Sequence, residues 1–303
     1  MIAAGIDLGG TKIEAQVFGA DWNRLDSRRV ATPVTYDALV LALADQIDWV
    51  EARSPGLPIG VAAAGLVNPA TGLALTSNLP ATGRPFPADI AKAAGRSITY
   101  VNDCRAQILS EAAFGAARGA SPALGFSIGT GLAGGIVVDG RLLHGLTGVG
   151  GEFGHFALPS VPMMAHGLPI LRCGCGRLGC TETLISGPGL SRIVAHLLQR
   201  EMTSRQIVEL RGDDADIARC WAIWCELLVE TLLTLCLIVD PAVVVLGGGL
   251  GRVAGLIDDL APALQKAQLA GFGIPDLRIA EGGDASAARG AAYAAYQDKD
   301  ANG

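Results

Sequence analysis

The sequence contains no cluster of basic residues. Its 23 lysines and arginines are outnumbered by 29 aspartates and glutamates, which gives a formal net charge of −6 at pH 7. Proteins that bind nucleic acids usually concentrate Lys and Arg on one face or along one helix. The composition therefore argues against a nucleic-acid partner.

A secretory signal is also missing, because residues 2–8 are only partly apolar and no basic residues precede them. The longest apolar stretch is 220–239, but Glu226 and Glu230 lie in its middle, where each carboxylate would be costly in lipid. We therefore expect a buried helix in a soluble core, no membrane partner and a cytoplasmic location.

A disulfide framework fits the sequence poorly, because seven cysteines is an odd number. Three of them, Cys173, Cys175 and Cys180, fall within eight residues, and His155 precedes them. Three thiolates and one imidazole match a structural tetrahedral zinc site in a cytosolic protein. The alternative is a group of buried free cysteines.

Glycine is abundant, with 41 residues, but it has no fixed period, so the chain is neither collagen-like nor of low complexity. Residues 2–8 and Ile13–Phe18 both have strand patterns, and the glycines between them lead to Thr11 and Lys12. The order of Lys and Thr is reversed relative to a Walker A loop, and Lys12 leads into a strand rather than a helix. We therefore predict a hairpin that offers backbone N–H groups to a phosphate.

The strand–glycine–strand pattern occurs again at 124–138, where no helix follows the glycines as an NAD fingerprint would require. Two copies of the pattern indicate an internal duplication, with two similar α/β lobes around a central cleft. The predicted lobes are 1–116 and 117–286, and a C-terminal helix at about 287–303 is expected to pack back on the first lobe.

Other patterns predict further elements along the chain. The predicted helices are Asp37–Arg53, Ala106–Ala117, Gly187–Gln199, Asp214–Ile238, Leu250–Ala267 and Ala285–Ala295, and the predicted strands are Pro58–Ala64, Ser97–Val101 and Pro241–Leu246.

Four carboxylates have two readings each. Asp7, beside the first glycine hairpin, would repel a phosphate unless Mg²⁺ lay between them, or it could simply cap a turn. Asp103 follows a strand and precedes a helix, so it is either a helix cap or a general base. Glu152 and Glu182 flank the His/Cys cluster and either bind buried donors or accept hydroxyl groups from a polyol.

Five motifs occur in a characteristic order: D-x-G-G-T-K, N-D before a helix, G-T-G-x-x-G-G, G-E-x-G-H and C-x-C-G-x-x-G-C-x-E. Together they resemble the ROK family of sugar kinases and sugar-responsive repressors over nearly the whole chain. The resemblance implies an actin-like ATPase fold, ATP with Mg²⁺, a small-molecule sugar and a homodimer. Repressors of the family carry a helix-turn-helix domain before the first motif, whereas only six residues precede Asp7 here, so a kinase is favoured.

The resemblance also implies a role for individual residues. Asp103 matches the catalytic base. The residues that match sugar contacts are Gly65, Asn78, Asn102, Asp103, Glu152, His155 and Glu182. The residues that match nucleotide contacts are Asp7, Gly9, Gly10, Thr11, Lys12, Gly129, Thr130, Gly131, Gly247, Gly248 and Gly249. His155 would also bind a structural zinc with Cys173, Cys175 and Cys180.

The segment 151–180 is similar to the bacterial N-acetyl-D-glucosamine kinases of the family, which implies phosphorylation of that sugar at its 6-hydroxyl. Glucose, N-acetylmannosamine and fructose remain alternatives, as does a sugar sensor without catalysis. One departure from the family pattern is Arg105, which stands where many members have Asn. The sequence alone does not tell whether Arg105 acts on the base or on packing.

Overall fold

A computed structural model describes residues 1–302. Its strands are β1 (Ala3–Leu8), β2 (Lys12–Phe18), β3 (Arg24–Ala31), β4 (Ile59–Ala63), β5 (Leu66–Val67), β6 (Ala74–Leu75), β7 (Thr99–Asn102), β8 (Ala123–Ile128), β9 (Leu132–Val138), β10 (Arg141–Leu142), β11 (Val243–Gly247) and β12 (Asp276–Ile279). Its α-helices are α1 (Tyr36–Glu51), α2 (Phe86–Ala93), α3 (Asp103–Phe114), α4 (Ser160–Ala165), α5 (Glu182–Ile185), α6 (Gly187–Leu198), α7 (Ser204–Leu210), α8 (Ala215–Val239), α9 (Gly248–Gly251), α10 (Leu256–Ala267) and α11 (Ser286–Asn302).

The chain forms two compact units. The first contains Met1–Gly119, Gly135–Gly150 and the chain from Glu281 onward, and the second contains Ala120–Gly134 and Gly151–Ala280. The first unit includes 117–119 and 281–286, which were predicted in the second lobe, and also the longer segment 135–150. The physical reason is close packing: a Cβ on Gly135 would lie only 2.8 Å from the Ile108 side chain of α3.

The first unit is built on a five-stranded sheet in the order β3-β2-β1-β4-β7. The β1–β2 and β2–β3 pairs are antiparallel, and β1–β4 and β4–β7 are parallel. Five of the six β1 residues are buried, which explains its nearly continuous apolar sequence. Helix α1 packs its buried side chains, including Leu39, Leu43 and Ile47, into the core of this unit.

The C-terminal helix α11 packs directly on β1, β4 and α3. Glycines make this close contact possible. An added Cβ on Gly60 would overlap the Ala291 carbonyl, and one on Gly290 would overlap the Ala106 carbonyl. Because the backbones themselves touch, no larger residue fits at these positions.

A second sheet has the order β10-β9-β8-β11-β12, and its strands β8, β11 and β12 lie in the second unit. In this sheet β8–β11 and β11–β12 are parallel, and β9–β10 is antiparallel. The strand order follows the same pattern as in the first sheet. Three strands that are consecutive in the sequence come first, and two later strands are added beside the earliest of the three, β1 in the first sheet and β8 in the second. The predicted duplication into two similar α/β halves is therefore confirmed.

The apolar stretch near residue 220 forms part of the 25-residue helix α8. By length and composition, α8 is the one helix in the described chain that could span a membrane, and 56% of its most apolar window is buried within the protein. It packs against α10 and α6 of the second unit. This arrangement is that of a core helix.

Candidate active site

The first glycine hairpin joins β1 to β2 and is held by Thr32. The Gly9 N–H donates to the Lys12 carbonyl at 2.9 Å, and the Thr32 hydroxyl donates to the Gly9 carbonyl at 2.7 Å. The Thr32 N–H donates in turn to the Thr11 carbonyl at 3.1 Å. Gly10 and Thr11 are exposed at the tip, where backbone N–H groups can meet an anion.

The Lys12 amine lies near a carboxylate that the sequence analysis did not assign. Its Nζ is 3.7 Å from Oε2 of Glu14, two residues along the same face of β2. Glu14 is buried and accepts two hydrogen bonds from the Arg29 guanidinium, at 2.6 and 2.9 Å. The predicted contact of Lys12 with a phosphate stays a prediction.

Asp103 lies on the same sheet edge as this hairpin. Leu8 is in register with Ala63, and Ala63 with Asn102. Neighbouring strands are about 4.8 Å apart, so the end of β1 and the end of β7 are separated by about 10 Å. The edge therefore carries Asp7 at one point and Asp103 at another.

Asp103 is the first residue of α3, and its side chain is half-buried. Burial raises the pKa of its carboxyl group, while the Cys104 N–H, which donates to Oδ1 at 2.9 Å, opposes that shift. The pKa of the neighbouring Tyr100 is raised as well, first by burial and then by the Asp103 charge. A carboxylate with a raised pKa is a stronger base than one in water.

The N-cap of α3 is Asn102 and not Asp103, for which a cap was one of the two predicted roles. Asn102 Oδ1 accepts the N–H groups of Cys104 at 3.0 Å and Arg105 at 3.2 Å. Its Nδ2 donates to the Gly65 carbonyl at 3.1 Å, which brings together two predicted sugar contacts. Asn78 lies beside Gly10, since a Cβ added to Gly10 would be 3.4 Å from Asn78 Nδ2.

The second hairpin, between β8 and β9, is also closed by a backbone hydrogen bond, which spans two residues instead of the three spanned in the first hairpin. The Gly129 N–H donates to the Gly131 carbonyl at 3.0 Å, and Thr130 is exposed at the tip. The Gly187 N–H donates to the Gly129 carbonyl at 2.8 Å and so attaches α6 to this hairpin. Gly247, Gly248 and Gly249, which match nucleotide contacts of the family, lie at the end of β11 and the start of α9, in the same unit.

The four predicted zinc ligands lie together in the second unit. One ligand atom from each of His155, Cys173, Cys175 and Cys180 lies within 4.8 Å of all the others. His155 Nδ1 is 3.6 Å from Cys173 Sγ, and Cys175 Sγ is 3.7 Å from Cys180 Sγ. Zn–S bonds of about 2.3 Å and Zn–N bonds of about 2.0 Å imply ligand separations of about 3.5–3.8 Å in a tetrahedron.

Glu152 and Glu182 lie on either side of the His155 ring. Glu152 Oε2 is 4.0 Å from Nε2, and Glu182 Oε1 is 3.9 Å from Nδ1. The Cys173 thiol donates to Glu182 Oε1 at 2.8 Å. Nδ1 of His155 thus faces Cys173 and Glu182, and Nε2 faces Glu152.

Comparison with known proteins identifies the family. The ROK family model matches residues 3–298, and the chain belongs to the ROK family. Two relatives with similar identity have different sugars in their names. The N-acetylgalactosamine kinase AgaK of Shewanella sp. (strain ANA-3) is 36% identical over 95% of this chain and 94% of its own. The N-acetyl-D-glucosamine kinase of Pectobacterium atrosepticum is 35% identical over 97% of this chain and 99% of its own.

Solved structures agree with this assignment. The ROK hexokinase from Thermus thermophilus has a TM-score of 0.87 and 34% identity, covering 99% of this chain and 100% of its own. A ROK family glucokinase from Streptomyces griseus, solved with glucose and AMPPNP, has a TM-score of 0.78 and 25% identity, covering 98% of this chain and 100% of its own. The fold is therefore that of the ROK sugar kinases, which confirms the expected actin-like ATPase fold.

Proposed function

We propose that the protein transfers the γ-phosphoryl group of ATP to the 6-hydroxyl of N-acetyl-D-glucosamine, giving N-acetylglucosamine 6-phosphate and ADP. The observation that carries the proposal is Asp103: a half-buried carboxylate with a raised pKa, on the sheet edge that also carries the glycine hairpin. The named activities of the relatives, and AMPPNP, an ATP analogue, in the Streptomyces structure, support the kinase class.

In this proposal each group has one task. Asp103 takes the proton from the 6-hydroxyl as that oxygen attacks the phosphorus atom. In the first unit, we assign the hairpin N–H groups to a phosphate and Asn102 to a sugar hydroxyl. In the second unit, we assign the hairpin N–H groups to a phosphate and Glu152, His155 and Glu182 to sugar hydroxyls. Mg²⁺ bound with ATP would neutralise developing charge, and Asp7 is the carboxylate we assign to its hydration shell.

We also propose that the cluster of His155 and three cysteines holds a structural zinc ion. The donor set and the ligand separations of 3.6 and 3.7 Å fit a closed tetrahedral site. Zinc bound there would fix the His155 ring with Nε2 left for the sugar. The seven free cysteines support a reducing, cytoplasmic location. The homodimer stays a prediction.

N-acetylgalactosamine is the second candidate substrate, because AgaK is as similar to this chain as the N-acetyl-D-glucosamine kinases are. The two sugars differ only in the orientation of the 4-hydroxyl. The same base and hairpins would serve both, so only the sugar contacts can discriminate.

The test is a coupled ADP-release assay with Mg²⁺ and ATP on five sugars: N-acetylglucosamine, N-acetylgalactosamine, N-acetylmannosamine, glucose and fructose. We expect N-acetylglucosamine to give the highest kcat/KM. Asp103→Asn removes the base, so its kcat should fall by about 10²–10⁴-fold with little change in KM.

The matched control is Asp48→Asn, an exposed aspartate on α1, which should retain wild-type kinetics. If N-acetylgalactosamine gives the highest kcat/KM, the second candidate replaces the first. Full activity of Asp103→Asn would refute the base assignment, and turnover of no sugar would leave a sensor as the better description.

A further inference from the structure

A cavity of about 220 Å³ opens in the first unit beside Gly65 and Asn102. Sites that hold drug-sized ligands usually measure about 300–1,000 Å³, so this cavity suits part of a monosaccharide and not a nucleotide. The residues of its wall that matter for the argument are Gly65, Leu66, Val67, Asn102, Arg105 and Leu146.

Arg105 is the charged residue of this wall, and it is only 8% exposed. It lies close to the segment 135–150: a Cβ on Gly135 would be 3.2 Å from the Arg105 Cα, and one on Gly148, which also lines the cavity, would be 3.9 Å from its guanidinium. A guanidinium is always charged and can only donate hydrogen bonds. A ligand group that contacts this guanidinium would therefore do so through an acceptor oxygen.

The other part of the wall is apolar. Leu66 and Val67 are half-buried in the wall, and Leu146 is 95% exposed at its rim. These side chains can cover a methyl group from water. The cavity thus combines a hydrogen-bond donor with an apolar surface. Its wall also contains Asn102 and Gly65, which are joined by the hydrogen bond from Asn102 Nδ2 to the Gly65 carbonyl.

We propose that Arg105 selects sugars with a 2-acetamido group: the acetamido carbonyl accepts from the guanidinium, and the methyl packs on Leu66 and Val67. This inference rests on the proposed function. A 2-hydroxyl, as in glucose, is shorter than an acetamido group and carries no methyl, so it makes neither of these two contacts. The departure from Asn to Arg at residue 105 is thereby a specificity feature of this chain.

The test compares wild type with Arg105→Met, which keeps an unbranched side chain and removes the donors. We expect kcat/KM for N-acetylglucosamine to fall by about 10- to 100-fold, the usual effect of losing a hydrogen bond to a charged group. The loss should lie in KM rather than kcat, because the contact is made equally in the ground and transition states. The value for glucose should change by less than about threefold.

Arg118→Met, an exposed arginine of the same unit, is the matched control and should behave as wild type for both sugars. An equal loss for N-acetylglucosamine and glucose would show that Arg105 supports the fold or Asp103, and would overturn the proposal. No loss for either sugar would overturn it too.

Two further measurements keep the test decisive. If Arg105→Met does not fold, wild type is assayed with N-thioacetylglucosamine, whose sulfur is a weaker acceptor: KM should rise by about 2- to 10-fold, and an unchanged KM overturns the proposal. If wild type phosphorylates no sugar, the proposed function has failed, and calorimetry still decides the subsite. Tighter binding of N-acetylglucosamine than of glucose, lost in Arg105→Met, supports it, and equal or absent binding refutes it.

Discussion

The ionised side chain of Asp103 lowers the free energy of unfolding, because it is buried from water. Burial raises the pKa of this carboxyl in the folded protein above the unfolded value of about 3.9. A group with a raised folded pKa contributes stability that is fully present below the unfolded pKa and is lost as pH rises through the folded pKa. At neutral pH the ionised side chain therefore opposes folding.

Asp103→Asn should for this reason have a larger free energy of unfolding than wild type at neutral pH. Asn keeps an oxygen that can accept from the Cys104 N–H, so that bond is retained. The difference should shrink as pH falls through the raised pKa of Asp103 in the folded protein, because the protonated carboxyl is as uncharged as the Asn side chain. Urea unfolding at several pH values measures it, and a variant less stable than wild type at neutral pH would contradict the assigned burial cost.

For single residues, the sequence predicted the His/Cys cluster, but it did not predict the residues that support the first hairpin. The spacing of Cys173, Cys175 and Cys180 was enough to predict the cluster, because the ligands lie close in the chain and the fold only has to add His155. Thr32 and Glu14 were not predicted to support the first hairpin. Their contacts depend on the pairing of β2 with β3, which no local pattern in the sequence shows.

At the scale of elements, α11 depends on glycine for its contact with the rest of the first unit. Gly290→Ala would add a Cβ that overlaps the Ala106 carbonyl of α3. Alanine favours a helix over glycine by about 1 kcal/mol, so on propensity alone the variant would gain stability. We expect a net loss of about 1–3 kcal/mol instead, because overpacking costs more.

Chemical unfolding measures this effect, and Gly212→Ala is the matched control. A Cβ on Gly212 meets no atom within 4 Å, so that variant should unfold like wild type or slightly later. Unchanged or higher stability of Gly290→Ala would show that α11 and α3 can separate without loss.

Elements with a clear period were predicted and those without one were missed. β1, β2, α1, α6 and α8 agree with the predicted segments within about two residues at each end, the usual uncertainty of helix and strand limits. β3 was missed because its sequence, RLDSRRVA, is that of a half-exposed edge strand with charges. The predicted helix Leu250–Ala267 is divided into α9 and α10, because Gly255 has a φ of +81° that no helix accommodates.

At the scale of the whole molecule, the proposed zinc site belongs entirely to the second unit. Removing the metal should therefore loosen that unit selectively. After chelation we expect faster amide hydrogen exchange in 156–186 and unchanged exchange in β1 and β2, because each unit has its own core.

Cys175→Ser should reproduce the effect of chelation and reduce bound zinc, measured by elemental analysis, to well below one ion per chain. Cys236→Ala, a buried cysteine of α8 outside the cluster, should retain the ion. Equal zinc in both variants would refute the metal site, and uniform acceleration of exchange would refute its confinement to one unit.

The long separation between β1 and α11 along the chain has a consequence for protein synthesis. Helix α11 covers one face of β1, but β1 ends at Leu8 and α11 begins only at Ser286, so β1 is synthesised long before the helix that covers it. At about 5–20 residues per second, translation leaves that apolar face without its helix for roughly 15–60 seconds. The first unit therefore stays incomplete until the whole second unit has been made.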